Sequence, residues 1–302
     1  MSSSLREGLT VRAASEADAD AVSELIVAAD VGVHGWSDAT PDELRDWWRR
    51  NDPAENSWLV EDDRLVAYAD YFEHGDRAEL DGYVHPDRKG EGLGSWLVDR
   101  AEERAEAGER ERLQTWCLAG DADARALFEQ RGFGEIRRYY RMLIELDGPP
   151  PPAEWPEGTR VATFREEDAR AFYDALQESF EDEWNFVPEP YERWLELRLE
   201  ASDFDPTLWF LVWDGDELAA VLRGGRRGDM GWVGAIGVRT PWRKRGLGLA
   251  LLRHAFADWL DRGVRRVGLG VDSQNPTGAT RLYERAGMHA AYEAVCFEKA
   301  IA

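Results

Sequence analysis

Short apolar runs alternate with segments of helical periodicity along the whole chain. The run from Trp232 to Val238 is apolar and contains three β-branched residues, which is typical of a buried strand. The segment from Leu251 to Leu260 places apolar residues at the spacing of one helix face. The turn Asp214-Gly215-Asp216 between two apolar runs predicts a hairpin. The pattern therefore predicts an α/β fold with a mixed, partly antiparallel sheet.

The same order of elements occurs twice, which predicts an internal duplication. In the first half we expect strands at 9–14, 57–61, 65–71, 78–84, 113–118 and 138–146, with helices ending near 29, beginning at 41, ending near 107, and at 123–131. In the second half we expect strands at 159–164, 208–213, 218–223, 232–238, 266–271 and 292–298, with helices at 166–180, 189–200, after 246, and at 276–286.

A proline-rich stretch separates the two repeats. Residues 149–152 are all proline, and such a run continues neither a helix nor a central strand but favours an extended spacer. We therefore predict an amino-terminal domain at 1–147, a linker at 148–153 and a carboxyl-terminal domain at 154–302. Two domains also agree with the length of 302 residues.

The composition narrows the class of partner. The formal net charge is −23, and this charge would repel the phosphates of a nucleic acid. No apolar segment is long enough to span a membrane, and the first residues contain no apolar signal region, so we expect a cytoplasmic protein. Cys117 and Cys296 lie in different halves and are expected to be reduced thiols, and the scattered histidines predict no metal site.

A cationic glycine loop stands between the strand ending at Val238 and the following helix. Three consecutive cations, Arg243, Lys244 and Arg245, precede Gly246 and Gly248. Glycine lets the backbone turn tightly and approach a ligand, and the start of a helix offers unpaired N–H groups and the positive end of a dipole. These residues predict a phosphate or pyrophosphate site. The first half has the same arrangement, with Gly92 and Gly94 preceded by Lys89.

These loops resemble the acetyl-CoA loop of the GNAT N-acetyltransferases, (Gln/Arg)-x-x-Gly-x-(Gly/Ala). Arg243-x-x-Gly246-x-Gly248 matches it, and Lys89-x-x-Gly92-x-Gly94 matches with lysine at the first position. The resemblance implies two tandem GNAT-like domains with acetyl-CoA as co-substrate. The cofactor-binding residues that it implies are Ile236, Gly237, Val238, Arg243, Lys244, Arg245, Gly246, Leu247, Gly248, Leu249, Ala250 and Asn275 in the second half, and Tyr83, Val84, Lys89, Gly90, Gly92, Gly94 and Ser95 in the first.

The resemblance also implies a general acid. In the family, a tyrosine on the helix after the fifth strand gives a proton to the leaving thiolate, and Tyr283 stands in a matching motif that begins at Asn275. The alternative is that Tyr283 is an amphipathic core residue. In the first half Gly120 replaces Asn275 and Phe128 replaces Tyr283. Phenylalanine has no proton to give, so we expect the first half to be non-catalytic.

The general base has two candidates. Many family members place a glutamate on the fourth strand, but 232–238 contains no carboxylate, and tandem members active in their carboxyl-terminal half have that glutamate where Trp232 stands here. Asp229 precedes this strand and is one candidate. Glu183 is the other, in an acidic run with Glu181 and Asp182 that we expect to bind the acceptor or to be a solvated loop. The first half has Glu79 and Asp81 on the corresponding strand.

These residues predict an acetyl-CoA-dependent N-acetyltransferase in which a small-molecule primary amine attacks the thioester directly in a ternary complex. Two alternatives remain at this point. One is a non-catalytic acyl-CoA-binding regulatory protein, which the absent strand carboxylate favours and Tyr283 opposes. The other is an acetyltransferase that acts on a protein or peptide amine. The acidic run predicts a preference for acceptors with a second positive charge.

Overall fold

The chain folds into two compact units. The computed structural model describes residues 5–301. Unit 1 runs to Tyr139 and resumes at Tyr292, and unit 2 is Tyr140–Ala291. Each unit is a mixed α/β structure with a mostly antiparallel sheet, so the predicted fold class is confirmed.

Within residues 5–301, unit 1 contains a sheet of six strands, the start of a further strand and the helices that cover the sheet. Its elements are β1 (Thr10–Arg12), α1 (Ala19–His34), α2 (Pro41–Trp48), α3 (Pro53–Asn56), β2 (Ser57–Glu61), β3 (Leu65–His74), β4 (Arg77–Val84), α4 (Leu93–Ala107), β5 (Arg112–Leu118), α5 (Ala122–Gln130) and the start of β6 (Gly134–Glu145). The strand β12 (His289–Ala300) completes its sheet, whose order is β1-β2-β3-β4-β5-β12.

Unit 2 repeats this arrangement. Its elements are the end of β6, β7 (Thr159–Thr163), α6 (Ala169–Phe180), α7 (Tyr191–Leu199), β8 (Trp209–Asp214), β9 (Glu217–Arg227), β10 (Met230–Val238), α8 (Leu247–Asp261), β11 (Arg266–Asp272) and α9 (Ala279–Arg285). The sheet order is β7-β8-β9-β10-β11-β6. The repeated order matches the predicted duplication.

Apolar side chains pack on both faces of each sheet. In unit 2, Phe256 and Trp259 of α8 pack with Phe210 and Leu222 of the sheet, while Phe172 of α6 packs on the opposite face. In unit 1 the corresponding two clusters lie under α4 with α5 and under α1 with α2. Each unit therefore has three layers, which suits strands with few charged positions.

Local sequence explains several helix starts. Thr40 is the N-cap of α2, since its Oγ1 accepts a hydrogen bond from the Glu43 N–H at 3.2 Å and Pro41 follows at the first helical position. Asp121 caps α5 in the same way, accepting from the N–H of Ala124 at 3.1 Å. The predicted helix at 276–286 begins later, at Ala279, because Gly278 has φ of 78° and ends a turn before it.

The units differ from the predicted halves in their last strands. Residues 292–300 of β12 pair with β5 of unit 1, although they belong to the second half of the sequence. Residues 140–145 of β6, from the first half, belong to unit 2 beside β11. Residues 148–153 form neither helix nor strand.

The two cysteines lie on neighbouring strands of unit 1. Both are free thiols, as predicted. Cys117 of β5 is opposite Val295, and Cys296 is opposite Trp116. Successive side chains of a strand point to opposite faces, so the two sulfurs face opposite sides of the sheet. Burial raises the pKa of the Cys117 thiol to about 12.

Candidate active site

A gap opens between the two parallel strands at the middle of unit 2. Among the described residues, β10 and β11 pair only at Gly231–Val267 and Trp232–Gly268, whereas β10 continues to Val238 and β11 to Asp272. The strands therefore diverge toward their carboxyl ends. In unit 1 the pairing of β4 with β5 likewise stops at Leu80 and Thr115.

The loop after β10 presents unpaired amides. Gly246 has φ of 92° and is the N-cap of α8, and Lys244 has φ of 63°. The amide N–H groups of residues 244–249 have no hydrogen-bond acceptor within 5–301. Unpaired amides at the start of a helix suit an anion, and the anion site itself stays a prediction for this loop.

Close packing explains Gly248. A Cβ atom at this position would lie 2.9 Å from Cδ2 of Leu282 on α9. Glycine therefore lets the first turn of α8 approach α9. In unit 1, a Cβ at Gly94 would lie 3.2 Å from Cδ2 of Leu127 on α5, so the same packing recurs.

The three loop cations have different surroundings. Arg243 donates from Nε to the Val238 carbonyl at 3.1 Å, and its guanidinium lies 3.6 Å from Asp182. Arg245 pairs with Asp214 at 3.0 Å. Lys244 is exposed and has no ion pair with any residue in the described part of the chain. Lys244 is thus the cation that is available to a ligand.

The corresponding loop of unit 1, after β4, has the same backbone conformation as the loop after β10, but its cations are paired with carboxylates. Gly90 and Gly92 have φ of 78° and 84°, and the amides of 90–95 have no acceptor within the described residues. Lys89, however, pairs with Asp121 at 2.9 Å, and Arg88 pairs with Glu91 at 3.0 Å. Neighbouring carboxylates therefore neutralise its cations.

The remaining predicted cofactor residues adjoin these loops. Ile236, Gly237 and Val238 end β10, and Leu247, Leu249 and Ala250 are in the first turn of α8, with Leu247 and Ala250 buried. In unit 1, Tyr83 and Val84 end β4, and the Ser95 carbonyl accepts a hydrogen bond from Arg131 at 3.3 Å. The Tyr83 hydroxyl donates to Asp81 at 3.3 Å.

Tyr283, Glu183 and Asn275 come together in unit 2. Tyr283 is 7% exposed, and burial together with the charge of Glu183 raises the pKa of its hydroxyl. Glu183 accepts a hydrogen bond at Oε1 from the side-chain amide of Asn275. Glu183 therefore binds Asn275 and lies close enough to Tyr283 for its charge to act on the hydroxyl, which keeps its proton.

A turn after β11 fixes Asn275. Its N–H donates to the Asp272 carbonyl at 3.1 Å, and its Oδ1 accepts from the Thr277 N–H at 2.8 Å. The amide oxygen is thus held by the turn, and the amide nitrogen is directed to Glu183. The structure gives Asn275 this carboxylate as its partner, and its contact with the cofactor stays a prediction.

The structure separates the acidic run. Glu181 and Asp182 are exposed, and Asp182 faces Arg243. Only Glu183 reaches the group around Tyr283. The run is therefore not a continuous acidic lining.

Asp229 lies away from this group. It is exposed in the turn that precedes β10, whereas the loop and Val238 are at the other end of a strand that spans roughly 25–30 Å. The Trp232 indole lies 4.6 Å from the guanidinium of Arg141 and 3.7 Å from that of Arg227. The charge that acts on the Tyr283 hydroxyl is that of Glu183, and not that of Asp229.

Unit 1 has a different polar group in the corresponding region. Phe128 is also 7% exposed and packs against Phe133 and Phe297, while Gly120 leaves no side chain where Asn275 stands. Asp81 is directly opposite Asp70 on β3, and Glu79 accepts a hydrogen bond from Trp116 at 2.9 Å.

Sequence reasoning missed two charged residues at buried positions. Burial raises the pKa of Asp70 to about 7, and its side chain accepts a hydrogen bond from Trp47 at 3.1 Å. Arg198 lies on the inner face of α7. The sequence contained a signal for each residue. Asp70 is a carboxylate inside the apolar run 65–72, and Arg198 stands seven residues after Tyr191 on an apolar helix face.

Comparison with known proteins gives one family for both units. The profile of the acetyltransferase (GNAT) family matches residues 19–133 and 169–288. The mycothiol acetyltransferase of Geodermatophilus obscurus is 34% identical over 75% of this chain and 76% of its own length. That of Thermobispora bispora is 34% identical over 76% of this chain and 78% of its own.

Solved structures agree over the full length. A GCN5-related N-acetyltransferase from Sphaerobacter thermophilus has a TM-score of 0.85 and 37% identity, covering 99% of this chain and 97% of its own. A tandem GNAT protein from the clavulanic acid biosynthesis pathway has a TM-score of 0.74 at 19% identity, over 97% of this chain and 99% of its own, and shares the fold. No helix within residues 5–301 is long and apolar enough to cross a membrane.

Proposed function

This chain belongs to the acetyltransferase (GNAT) family and is an acetyl-CoA-dependent N-acetyltransferase, and from that premise we propose that unit 2 contains its active site. The observation that carries the proposal is the hydrogen bond between Asn275 and Glu183, whose charge acts on the buried Tyr283 hydroxyl. Unit 1 has Phe128 in place of the tyrosine. We therefore assign catalysis to the carboxyl-terminal domain and a non-catalytic role to the amino-terminal one.

Acetyl-CoA would bind at the loop after β10. The unpaired amides of 244–249 and the exposed ammonium of Lys244 suit a pyrophosphate. The gap between β10 and β11 is the natural path from this loop toward Tyr283. These features support the fit of the co-substrate to unit 2.

Glu183 and Tyr283 would then have opposite roles. The Glu183 carboxylate accepts the proton that the attacking amine loses as its nitrogen bonds to the thioester carbon. The Tyr283 hydroxyl donates its proton to the sulfur as the carbon–sulfur bond breaks, which suits a hydroxyl that burial keeps protonated. Asn275 is a positioning residue, because it directs the Glu183 carboxylate and touches no reacting atom in this scheme.

The acceptor is a small-molecule amine. The similarity to mycothiol acetyltransferases makes the acceptor of those enzymes one candidate, but Trp232 stands where the family resemblance implies a glutamate. We therefore propose a primary amine acceptor without committing the chain to that acceptor, and a location in the cytoplasm.

The substitution Tyr283→Phe tests the assignment. We expect kcat to fall by about 100- to 10,000-fold, the usual contribution of general acid catalysis, while acetyl-CoA affinity is unchanged because the hydroxyl acts on charge that develops in the transition state. Turnover is followed as free thiol over a panel of amines, and affinity by calorimetry.

Tyr140→Phe is the matched control, since Tyr140 is a partly buried tyrosine that packs on the core of the same unit. It should retain wild-type kcat. Wild-type turnover by Tyr283→Phe would make Tyr283 a packing residue. Absence of thiol release with every amine would instead favour a non-catalytic acyl-CoA-binding protein.

A further inference from the structure

Helix α7 carries a cation on its buried face. Tyr191, Trp194 and Leu195 of this helix pack in the apolar cluster under α6 and α7. Arg198 follows at the next position of the same face, and its side chain is 16% exposed. A charged group at such a position is costly to desolvate unless it is paired. A core-facing arginine therefore requires an explanation.

The contacts of Arg198 leave part of its guanidinium unsatisfied. Its Nη2 lies 3.6 Å from Oε2 of Glu189, which is an ion pair but too long for a hydrogen bond. Its Nη1 is buried and has no hydrogen-bond partner within the described part of the chain. Buried guanidinium donors are normally satisfied, so this nitrogen is available to an acceptor atom of a ligand.

A second guanidinium lies nearby. Burial and the neighbouring charge of Arg223 lower the pKa of Arg198 to about 10, while Glu189 and Asp203 act in the opposite direction. Two like charges this close repel each other, and an anion that binds to the Arg198 guanidinium would reduce that repulsion. A planar guanidinium is suited to bind a carboxylate or phosphate by two parallel hydrogen bonds.

Arg223 extends across the central strand of the site. Its guanidinium carbon lies 2.6 Å from the place where a Cβ of Gly234 would stand, so any side chain at 234 would displace it. Gly234 is the extra residue of a bulge in β10, where the register with β9 shifts. Bulges often lie next to active sites, where they redirect side chains.

The two arginines and Glu183 are connected through β10 and through the segment between α6 and α7. Gly237 follows three residues after Gly234 on β10, about 10 Å along the strand, and Ser179 at the end of α6 packs directly on it. The connection from α6 to α7 has Glu183 near one end and Glu189, the partner of Arg198, near the other. The face of β10 that α6 covers therefore has Ser179, four residues before Glu183, at Gly237 and the Arg223 guanidinium at Gly234.

We propose that Arg198 and Arg223 form an anion-binding subsite for the acceptor, so that the preferred acceptor is a primary amine that also carries a carboxylate or phosphate group. This inference rests on the proposed function of unit 2, because it assumes that the amine is acetylated beside Tyr283. It reverses the preference for dicationic amines that the acidic run predicts, since Asp182 faces Arg243 and only Glu183 enters the group.

The test compares amines that differ only at the end remote from the nitrogen. The panel is a series of ω-aminoalkyl carboxylates of three to eight carbons, their amides, the diamines of equal length and the aminoalkyl phosphates. We expect kcat/KM to be at least about 10-fold higher for one anionic series than for amides and diamines of the same length, since hydrogen bonds to charged groups contribute on that scale. The carboxylate and phosphate arms identify which anion is bound.

Variants connect this preference to the two arginines. Arg198→Gln and Arg223→Gln should lower kcat/KM for the anionic acceptor by about 10- to 100-fold, mainly through KM, and should leave the amide unchanged. Arg226→Gln, an exposed arginine on the same strand as Arg223, is the control and should change neither. If Arg198→Gln does not fold, Arg223→Gln and the acceptor panel of the wild-type enzyme still decide the question.

The outcomes separate the two proposals. Equal or higher kcat/KM for amides or diamines, with Tyr283→Phe still inactive, contradicts the anion subsite and leaves the proposed function standing. Loss of activity on anionic and neutral acceptors alike in both arginine variants assigns them a structural role and also overturns the subsite. Absence of turnover with every amine contradicts the proposed function, and the subsite with it.

Discussion

Tyr283 and Phe128 occupy corresponding places in the two units and differ by one oxygen atom. Both side chains are 7% exposed, so packing requires only an aromatic ring. The motif around Tyr283 could be recognised from the sequence, because its residues are close together in the chain. The choice of Glu183 over Asp229 could not, because the contact of Glu183 with Asn275 joins residues 92 positions apart.

Three substitutions test this choice of base. Glu183→Gln removes the proton acceptor but keeps an oxygen for the Asn275 amide, so kcat/KM should fall by about 100-fold or more. The fall of kcat/KM at low pH, which arises when the carboxylate base becomes protonated, should also disappear. Asp229→Asn and Glu181→Gln, which change exposed carboxylates, should retain wild-type profiles. Loss of activity in Asp229→Asn alone would reverse the assignment.

Asp70 predicts a pH dependence of stability. Its pKa is raised by burial from 3.8 to about 7, so the folded state holds a proton that the unfolded state releases above about pH 4. The stabilising contribution is therefore complete below that pH and is lost as the pH rises toward 7, with a slope of about 1.4 kcal/mol per pH unit.

Asp70→Asn should remove this slope while preserving the oxygen that accepts from Trp47. The free energy of unfolding, measured by urea titration from pH 5 to 8, should fall less in Asp70→Asn than in the wild type. Asp63→Asn, at an exposed turn of the same unit, should follow the wild type. Parallel curves for Asp70→Asn and the wild type would contradict the raised pKa.

At the scale of elements, the strand–loop–helix segments β4–α4 and β10–α8 have the same backbone conformation in their loops but differ in the available charge. Gly92 and Gly246 adopt the same left-handed conformation at the start of α4 and α8. This similarity could be predicted, because the spacing of glycines in a short segment indicates the backbone conformation of that segment. The neutralisation of Lys89 by Asp121 could not, since the two residues are brought together only by the packing of α5.

The loops should therefore differ in their response to loss of a lysine. Lys244→Ala removes an exposed, available cation and should weaken acetyl-CoA binding by about 10-fold. Lys89→Ala removes a cation that Asp121 already binds, so its effect should be less than about twofold. Calorimetric titration of each variant with acetyl-CoA measures both. Equal losses would contradict the view that unit 2 provides the tighter site.

At the scale of the whole molecule, the duplication was predictable and the composition of the units was not. Repeated motifs and the proline run show two halves in the sequence. The assignment of β12 to unit 1 depends on pairing with β5, through residues such as Phe297 opposite Thr115. The alternation of apolar residues in a strand does not identify the strand with which it pairs. The hydrophobic pattern alone could therefore not show that β12 belongs to unit 1.

A fragment of residues 1–147 should therefore be incomplete. It lacks the strand that pairs with β5 and the Phe297 ring that packs on Phe128, and it would expose a sheet edge prone to association. We expect this fragment to aggregate, and a fusion of 1–147 through a flexible linker to residues 289–302 to remain monomeric. Size-exclusion chromatography compares the two, and a monomeric, cooperatively unfolding 1–147 fragment would contradict this expectation.

The position of β12 also sets the order of events during translation. Unit 1 is synthesised first but cannot close its sheet until residues after Tyr292 have left the ribosome. At about 5–20 residues per second, the wait after Tyr139 is roughly 8 to 30 s. The open edge of β5 is therefore accessible to chaperones during the whole synthesis of unit 2, and unit 1 becomes complete only after β12 has been synthesised.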